Sequence, residues 1–272
     1  MDKILKFLYT TFPGRVILKG LTAKPVSRAC GTFLDSHFSK PLIKPFVEKN
    51  DIDLSICERE KTSDYDSFND FFTRQLKYNM RPIAQDENRL MAPCDGLLSA
   101  YVITEGLVIP VKRSCYKVSD LLHSKSLAKE YNGGLCLVYR LSVKHYHRYV
   151  YADTGIKGKN HRINGILHTV QPVALRHVPV FTENQREFVQ IKTKNFGKII
   201  QMEVGALLVG KIKNHHERVK KVLRGEEKGY FKYGGSTIIV LIKKNHIKNI
   251  DPKYFINTLH NIETPVVMGQ SL

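Results

Sequence analysis

Three long apolar runs in the second half of the chain constrain its fold most strongly. They read LCLVYRLSV from residue 135, IIQMEVGALLVGKI from 199 and STIIVLIKK from 236. Each is rich in Val, Ile and Leu and is bounded by glycine or by charged residues, as buried strands are. Gly205 and Gly210 interrupt the second run, which indicates bulges or a close backbone approach. The second half is therefore predicted to be β-rich.

The first 60 residues follow a different pattern, which is helical and basic. Ile4, Leu5 and Leu8 recur at helical spacing beside lysines, and a second basic helical stretch is interrupted at Pro25. Such helices suit the surface of an anionic membrane. They equally suit packing on the protein's own core with the cations in water. The sequence leaves both interpretations open.

Two further helices are predicted before the β-rich part. Ser67 is a good N-cap, with Asp70 three residues later, so a helix is expected over 68–76. Another is expected over 119–131, ended by Asn132-Gly133-Gly134. The predicted fold class is therefore α+β, with a helical, basic amino-terminal portion followed by a β-rich core.

The charge of the chain favours a negatively charged partner. Lys and Arg number 43 against 25 Asp and Glu, a formal net charge of +18. Nucleic acid is disfavoured because the basic residues are spread along the chain, Trp is absent and no stacking motif accompanies the charge. An anionic membrane surface is the better match. No stretch approaches the roughly 20 apolar residues that cross a bilayer, so we expect a soluble or peripheral protein.

Three side chains with catalytic potential lie far apart in sequence. Asp95 is in the turn APCDG, His147 is in KHYHRY, and Ser236 follows two glycines in KYGGST. Such residues can act as orienting group, base and nucleophile. A chain with 11 histidines offers many such triples by chance, and a turn, a surface histidine and a strand start explain them equally well. The glycines allow backbone angles that could present a carbonyl to the Ser236 hydroxyl, although a glycine hairpin is an alternative.

The order and spacing of eight motifs resemble the phosphatidylserine decarboxylases in their shorter bacterial form. The motifs are FNDFFTRQLKYNMRPI from 68, APCDG from 92, YHR from 146, HTVQPVAL from 168, NQRE from 184, EVGALLVGKI from 203, GEEKGYFKYGGST from 225 and ETPVVMG from 263. The motifs run from Phe68 to the carboxyl end, so the resemblance implies a catalytic domain over 67–272. The basic helical pattern before it predicts a membrane-associating region over 1–66. The resemblance supports the α+β fold class more strongly than periodicity does.

The resemblance also implies that the chain cleaves itself between Gly235 and Ser236. The Ser236 hydroxyl attacks the Gly235 carbonyl to give an ester, and elimination releases a heavy chain of residues 1–235. The dehydroalanine left on the light chain, residues 236–272, hydrolyses to a pyruvoyl group. That ketone forms a Schiff base with phosphatidylserine and serves as the electron sink for decarboxylation to phosphatidylethanolamine. We therefore expect no metal and no diffusible cofactor.

The resemblance assigns roles to two residues in addition to Ser236. Asp95 corresponds to the family's triad aspartate, and His147 to the histidine that acts as proton donor in decarboxylation. The family usually reads D-Y-H-R-x-H, where the second histidine is the base for self-cleavage. Here His145 occupies the aspartate position and Val150 the second histidine position.

Because valine cannot exchange a proton, three outcomes are open for the self-cleavage base. In the first, His147 is both the base for self-cleavage and the proton donor in decarboxylation. In the second, His145 or His168 reaches the site. In the third, the chain matures slowly or not at all. Retained activity is expected, since GGST and the flanking motifs are intact.

Four residues are candidates for substrate binding. Arg74 and Arg81 suit a phosphate or carboxylate, because Arg binds such groups bidentately. A solvated helix face followed by a turn is the alternative for these two. Asn184 and Arg186 could position the substrate, although a loop hydrogen-bond network is the commoner use of such residues.

The leading hypothesis is a lyase that lies peripherally on the cytoplasmic side of the cell membrane and acts on phosphatidylserine in an anionic bilayer. The family also suggests a homodimer. One alternative is a pyruvoyl decarboxylase of another amine, although a soluble substrate would require no basic helices. Another is a lipid-binding pseudoenzyme of the same fold, which would remain an intact chain.

Overall fold

The computed structural model describes residues 2–104, 108–111, 114–175, 177–206, 211–234, 236–246 and 249–272. Helices dominate up to residue 72 and strands dominate after residue 95, which confirms the predicted α+β class. No helix in these ranges is long and apolar enough to span a bilayer.

The helices concentrate at the amino terminus and recur as short segments between strands. They are α1 (Asp2–Thr10), α2 (Phe12–Leu21), α3 (Lys24–Asp35), α4 (Ile43–Asn50), α5 (Phe68–Phe72), α6 (Val118–Leu122), α7 (Lys125–Lys129), α8 (Pro172–Leu175), α9 (Val180–Glu183) and α10 (Lys253–Leu259). Short 3-10 helices lie at His37–Leu42, Thr62–Asp64 and Lys244–His246. Pro25 falls in the first turn of α3, where a missing N–H costs no hydrogen bond.

The strands form one large sheet, a smaller three-stranded sheet and a hairpin. They are β1 (Gly96–Val102), β2 (Val108–Val111), β3 (Ser114–Lys117), β4 (Leu135–Leu141), β5 (Arg148–Val150), β6 (Gly155–Lys157), β7 (His161–Ile163), β8 (Arg186–Thr193), β9 (Lys198–Val204), β10 (Ile212–Asn214), β11 (Lys220–Val222), β12 (Glu227–Phe231), β13 (Ser236–Ile242) and β14 (Thr264–Val266).

Two of the helix predictions are wrong in extent. Ser67 caps α5 as expected, since its hydroxyl accepts a hydrogen bond from the Asp70 amide, but the helix ends at Phe72. The chain then extends so that Leu76 can bridge to Cys57. The helix expected over 119–131 is split into α6 and α7, because His123 adopts a left-handed conformation with φ of 50° and Ser124 caps a new helix.

The large sheet is antiparallel, with the order β11-β6-β8-β9-β13-β4-β1-β14, and β7 pairs with β8. The three apolar runs of the sequence supply β4, β9 and β13, which are adjacent at its centre. One face packs against helices, including Leu8 and Leu18 of the amino-terminal pair. The other face packs against the small sheet β10-β12-β5 through residues such as Tyr149 and Phe231. Burial on both faces explains why these strands are continuously apolar rather than alternating.

The division at residues 66 and 67 stays a prediction. The amino-terminal helices share the hydrophobic core of the sheet, because Leu8, Tyr9 and Leu18 belong to the same buried cluster as Val138 and Ile239.

A buried ion pair joins the two sheets. Lys228 on β12 lies 2.6 Å from the Glu203 carboxylate on β9, and the two side chains are 1% and 0% exposed. Asn214 on β10 bonds to both charged groups. Burial nevertheless raises the pKa of Glu203, because desolvation outweighs the attraction of Lys228. Each charge therefore depends on its partner.

Removing one partner of this ion pair should destabilise the fold strongly. We expect Lys228→Met to lower the free energy of unfolding by about 3–5 kcal/mol, because an unpaired carboxylate is left buried. The double variant Lys228→Met/Glu203→Leu should recover most of that loss. Urea unfolding in a Ser236→Ala background, which keeps one uncut chain, measures both. Lys194→Met at the exposed pair with Glu87 is the control and should cost no more than about 1 kcal/mol. Equal losses at the two pairs would contradict the prediction.

Candidate active site

Strand register brings five strand ends together along one edge of the large sheet, with Ser236 at the centre. Ser236 opens β13 and pairs with Leu141 of β4. Continuing the neighbouring ladders by one residue places Gly205 beside Ser236 on its other side, then Gln185 outside Gly205 and Gly96 outside Leu141. These five residues form the edge row. Since strands lie about 4.8 Å apart, the row spans roughly 20 Å.

One residue further out, the same strands carry polar groups toward this edge. Asn184 precedes β8, Ser142 follows β4 and Asp95 precedes β1. The register therefore brings Asp95, Asn184 and Ser236 to one region, although they are far apart in sequence. Gly235, whose carbonyl is the predicted point of attack, lies outside the described residues.

The Ser236 side chain is buried and has no hydrogen-bond partner among the described residues. A buried hydroxyl without a partner is costly, and in a native structure it calls for an explanation. Gly234, two residues earlier, has φ of 132°, a conformation that residues with side chains rarely adopt. An uncommitted hydroxyl after a glycine turn suits a serine that reacts with its own backbone and becomes a pyruvoyl group.

His147 is fully buried and has one unused ring nitrogen. Its Nδ1 lies 2.8 Å from the His145 carbonyl, which can only accept, so the ring proton is assigned to Nδ1. Nε2 then carries a lone pair and has no partner in the described part of the chain. Burial lowers the pKa of His147 to about 3, with the positive charge of Arg74 as a second cause. His147 is therefore a neutral imidazole with a free basic nitrogen.

His145 has the opposite arrangement. Its Nδ1 accepts a hydrogen bond of 2.9 Å from the Ser142 amide, which assigns the ring proton to Nε2. Burial lowers its pKa to about 4, although the negative charge of Asp95 opposes the shift. The neutral His145 ring can donate a hydrogen bond to the cavity beside Asp95 but offers no free lone pair.

Both ring nitrogens of His168 contact other side chains. Nδ1 lies 3.2 Å from the Tyr9 hydroxyl, and Nε2 lies 3.3 Å from the Glu183 carboxylate. Burial lowers the pKa of His168 despite that carboxylate. The Asn184 side-chain amide donates to the His168 and Gly205 carbonyls at 2.7 Å each, so Asn184 joins the His168 backbone to Gly205 of the edge row.

Asp95 is buried and fully engaged. Arg81 donates two hydrogen bonds to its carboxylate, at 2.8 and 2.5 Å, and the Met268 amide donates a third at 2.8 Å. No histidine is among its hydrogen-bond partners in the described residues. The Val150 amide donates to the Pro93 carbonyl at 2.9 Å, so position 150 lies beside the segment that carries Asp95.

The four predicted substrate-binding residues fall into two groups. Arg186 and Asn184 are buried, and their side chains bond to backbone groups, Arg186 donating to the carbonyls of Asp120, Leu121, Thr182 and Asn184. Burial lowers the pKa of Arg186 to about 10. Arg81 is paired with Asp95. Arg74 is 4% exposed, yet its Nη1 has no partner within the described ranges.

Two cavities flank the edge row. One, of about 390 Å³, is lined by Arg74, Arg81, Asp95, His145 and Gly96. The other, of about 510 Å³, is lined by residues of α3, including Arg28, and by Gln185, Lys211 and Lys232. No group of three or more His, Cys, Asp or Glu in the described residues could hold a metal ion.

Asn69, Phe72 and Tyr233 were not identified from the sequence, although they contact the site. The Phe72 ring lies 4.1 Å from the His147 ring and 5.2 Å from the Tyr233 ring. All three residues lie within motifs that carry the family resemblance. Aromatic residues in a short helix are otherwise typical of core packing, so only their position in those motifs could have identified them.

The neutral buried histidines should make the fold sensitive to acid. In the unfolded chain, histidines have a pKa of about 6.5 and take up protons below that pH. In the folded chain, His147 and His145 stay neutral at the same pH, so stability should fall as the pH drops. Each such histidine contributes about 1.4 kcal/mol per pH unit once the pH is well below 6.5.

The expected result is a shallower loss of unfolding free energy between about pH 6.5 and about pH 4.5 in His147→Asn than in its Ser236→Ala parent. Urea unfolding at several pH values measures it. His37 is exposed, so His37→Asn is the control and should keep the parental slope. A parental slope in His147→Asn as well would show that His147 is not held neutral.

Comparison with known proteins confirms the predicted resemblance. The family model "Phosphatidylserine decarboxylase" matches residues 68–272. The "Phosphatidylserine decarboxylase proenzyme 2" of Clostridium acetobutylicum is 42% identical over 269 residues, which cover 98% of this chain and 90% of the relative. The "Phosphatidylserine decarboxylase proenzyme" of Clostridium botulinum is 42% identical over 274 residues, covering 100% and 92%. That of Ruminiclostridium cellulolyticum is 40% identical over 274 residues, covering 99% and 90%.

The family match spans the residues that carry Asp95, His147 and Ser236, and the relatives align over nearly their whole length. The chain therefore belongs to the phosphatidylserine decarboxylase family.

Proposed function

We propose that this chain is a proenzyme that cleaves itself between Gly235 and Ser236 and then decarboxylates phosphatidylserine to phosphatidylethanolamine. The observation that carries the proposal is the buried, unpartnered hydroxyl of Ser236 at the centre of the edge row. Relatives about 40% identical to the chain are named proenzymes of this decarboxylase, which supports the same activity here.

His147 is the proposed base for self-cleavage, and it replaces the histidine that is missing at position 150. Of the three candidate histidines, His147 has a free lone pair, whereas His145 and His168 use theirs in hydrogen bonds. Phe72 contacts both the His147 ring and the Tyr233 ring, and Tyr233 is three residues before Ser236. The base and the cleavage segment therefore meet at one aromatic side chain.

The self-cleavage steps follow from these roles. His147 Nε2 takes the proton of the Ser236 hydroxyl, whose oxygen attacks the Gly235 carbonyl carbon. The peptide C–N bond breaks, and the amine receives the proton, which leaves an ester. Loss of the Cα proton and cleavage of the Cβ–O bond release Gly235 as a carboxylate. Hydrolysis of the resulting dehydroalanine, with loss of ammonia, gives the pyruvoyl group.

The pyruvoyl ketone supplies an electron sink for loss of CO2 from an amine substrate. His147 is also the proposed donor of the proton that reaches the substrate carbon, as the family resemblance implies. Arg74 offers the unpaired Nη1 to a phosphate or carboxylate. Asp95 with Arg81 forms a rigid wall of the same cavity.

The amino-terminal helices are the proposed contact with the membrane. Ile4 of α1 and Phe12, Val16 and Ile17 of α2 are 66%, 77%, 60% and 50% exposed, beside Lys and Arg residues of the same helices. Exposed apolar side chains flanked by cations suit insertion into an anionic leaflet. This supports peripheral attachment to a membrane, and the cytoplasmic side of the cell membrane stays the predicted location. A homodimer stays a prediction from the family.

Intact mass spectrometry of histidine variants tests the assignment of the base. Wild-type protein should yield two chains that end and begin at the Gly235–Ser236 bond, with a light chain that lacks a free amine. Ser236→Ala should remain uncut. His147→Asn should slow cleavage by about 10²–10⁴-fold, because the lone pair that accepts the serine proton is lost. His145→Asn and His168→Asn are the controls and should cleave.

An uncut wild-type chain of 31.2 kDa, unchanged after incubation with phosphatidylserine vesicles, would support the pseudoenzyme and overturn the proposal. Normal cleavage in His147→Asn would place the base elsewhere.

Steady-state kinetics of Arg74→Gln tests the substrate contact. With a soluble short-chain phosphatidylserine, KM should rise about 10–100-fold, because a charge-assisted hydrogen bond to the head group is lost. Rates are expressed per cleaved chain, so that any effect on maturation is separated. Arg28→Gln removes the same charge from the 510 Å³ cavity and is the matched control. A rise in KM for Arg28→Gln alone would place the head group in that cavity and overturn the assignment to Arg74.

A further inference from the structure

We infer that Tyr233 is an anchor that positions the cleavage segment, and that the amino-terminal helices build the socket that holds it. This inference rests on the proposed self-cleavage. Tyr233 belongs to the link between β12, which ends at Phe231, and β13, which begins at Ser236. The link is short, and Gly234 within it has a positive φ. Such a segment needs external contacts to hold one conformation.

Three phenylalanines hold the Tyr233 ring by edge-on contacts. The ring centroids of Phe68, Phe72 and Phe46 lie 5.0, 5.2 and 6.2 Å away, with interplanar angles of 89°, 77° and 74°. Edge-to-face geometry is the favoured arrangement of aromatic pairs and depends on orientation. These three side chains form the aromatic socket. The socket therefore constrains both the orientation and the position of the Tyr233 ring.

Polar contacts hold the Tyr233 backbone and the Lys232 side chain of the same link. The Tyr233 amide donates to the Asn69 side chain at 3.0 Å, and Asn69 in turn donates to Asp35 at 3.0 Å. Lys232 donates to both Asp35 oxygens, at 2.7 and 2.9 Å. Asp35 and Asn69 therefore hold two consecutive residues of the link from outside the sheet.

The residues that hold the link belong to the amino-terminal helices. Asp35 ends α3, Phe46 lies in α4, and Asn69, Phe68 and Phe72 lie in α5. Part of the region predicted to serve the membrane therefore lies against the cleavage segment. Phe72 also contacts the ring of His147 at 4.1 Å, so one side chain touches both the anchor and the proposed base.

Attack of a serine on the preceding carbonyl requires the reacting atoms to be held close and aligned. A displacement of about 1 Å can slow a reaction by about 100-fold. Tyr233 is thus a positioning residue, which acts through the chain that leads to Ser236. Its hydroxyl makes no hydrogen bond within the described residues, so the ring and not the hydroxyl carries this role. After cleavage, the same socket would retain the new carboxyl end of the heavy chain.

A time course of self-cleavage during cell-free synthesis tests the anchor. Tyr233→Ala should cleave about 10–100-fold more slowly than wild type, whereas Tyr233→Phe should cleave within about twofold of it, because the socket accepts either ring. Tyr78 is 91% exposed, so Tyr78→Ala is the matched control and should cleave normally. Thermal unfolding of each variant in the Ser236→Ala background shows whether it folds. If Tyr233→Ala does not, Tyr233→Leu keeps apolar bulk without the ring and replaces it.

Two further measurements separate positioning from general stability. Hydroxylamine traps the ester formed by serine attack, and Tyr233→Ala should yield less trapped product per uncut chain than wild type. In the mature enzyme, carboxypeptidase should trim the heavy chain of Tyr233→Ala faster than that of Tyr233→Phe, since the freed tail is exposed.

A folded Tyr233→Ala that cleaves at the wild-type rate would overturn the anchor and leave the proposed function intact. A Tyr233→Phe as slow as Tyr233→Ala would also overturn it, because the hydroxyl would then be required. A wild-type chain that never cleaves would overturn the proposed function itself, and the anchor with it.

Discussion

The antiparallel register of β13 between β9 and β4 is the constraint on which the site depends. It aligns Gln185, Gly205, Ser236, Leu141 and Gly96 in one row and brings Asp95 and Asn184 to the same edge. A slip of one residue would turn every side chain of β13 to the opposite face. Because these strands are buried on both faces, packing on the helices and on the small sheet opposes such a slip. The position of Ser236 is therefore set by the packing of the core.

Burial and hydrogen bonding distinguish histidines that are chemically identical in the sequence. Desolvation lowers the pKa of His145, His147 and His168, so all three favour the neutral ring. Their partners then decide which nitrogen keeps a lone pair. Only His147, among these three, combines a donor role at Nδ1 with an unengaged Nε2 in the described structure. The chain has Val150 at the position of the usual base, and His147 is its candidate replacement.

The amino-terminal helices take part in the site as well as in the proposed membrane contact. Tyr9 contacts His168, Asp35 holds Lys232, and Phe72 contacts His147. The proposed membrane contact lies on α1 and α2, whereas the residues that hold the cleavage segment lie on α3, α4 and α5.

The sequence by itself determined the α+β class, the three central strands, the Ser67 cap and the family, because these follow from local apolar patterns and ordered motifs. Two helices predicted from the sequence are too long. The helix over 68–76 ends early, where the chain extends to bridge Leu76 with Cys57. The helix over 119–131 is divided by the left-handed conformation of His123. The sequence could not decide which arginine keeps an unpaired donor or which histidine keeps a lone pair. Those properties depend on contacts between residues distant in sequence, such as Arg186 with Leu121 and Arg81 with Asp95. Only the tertiary structure decided them, because burial and partner geometry arise when distant segments pack together.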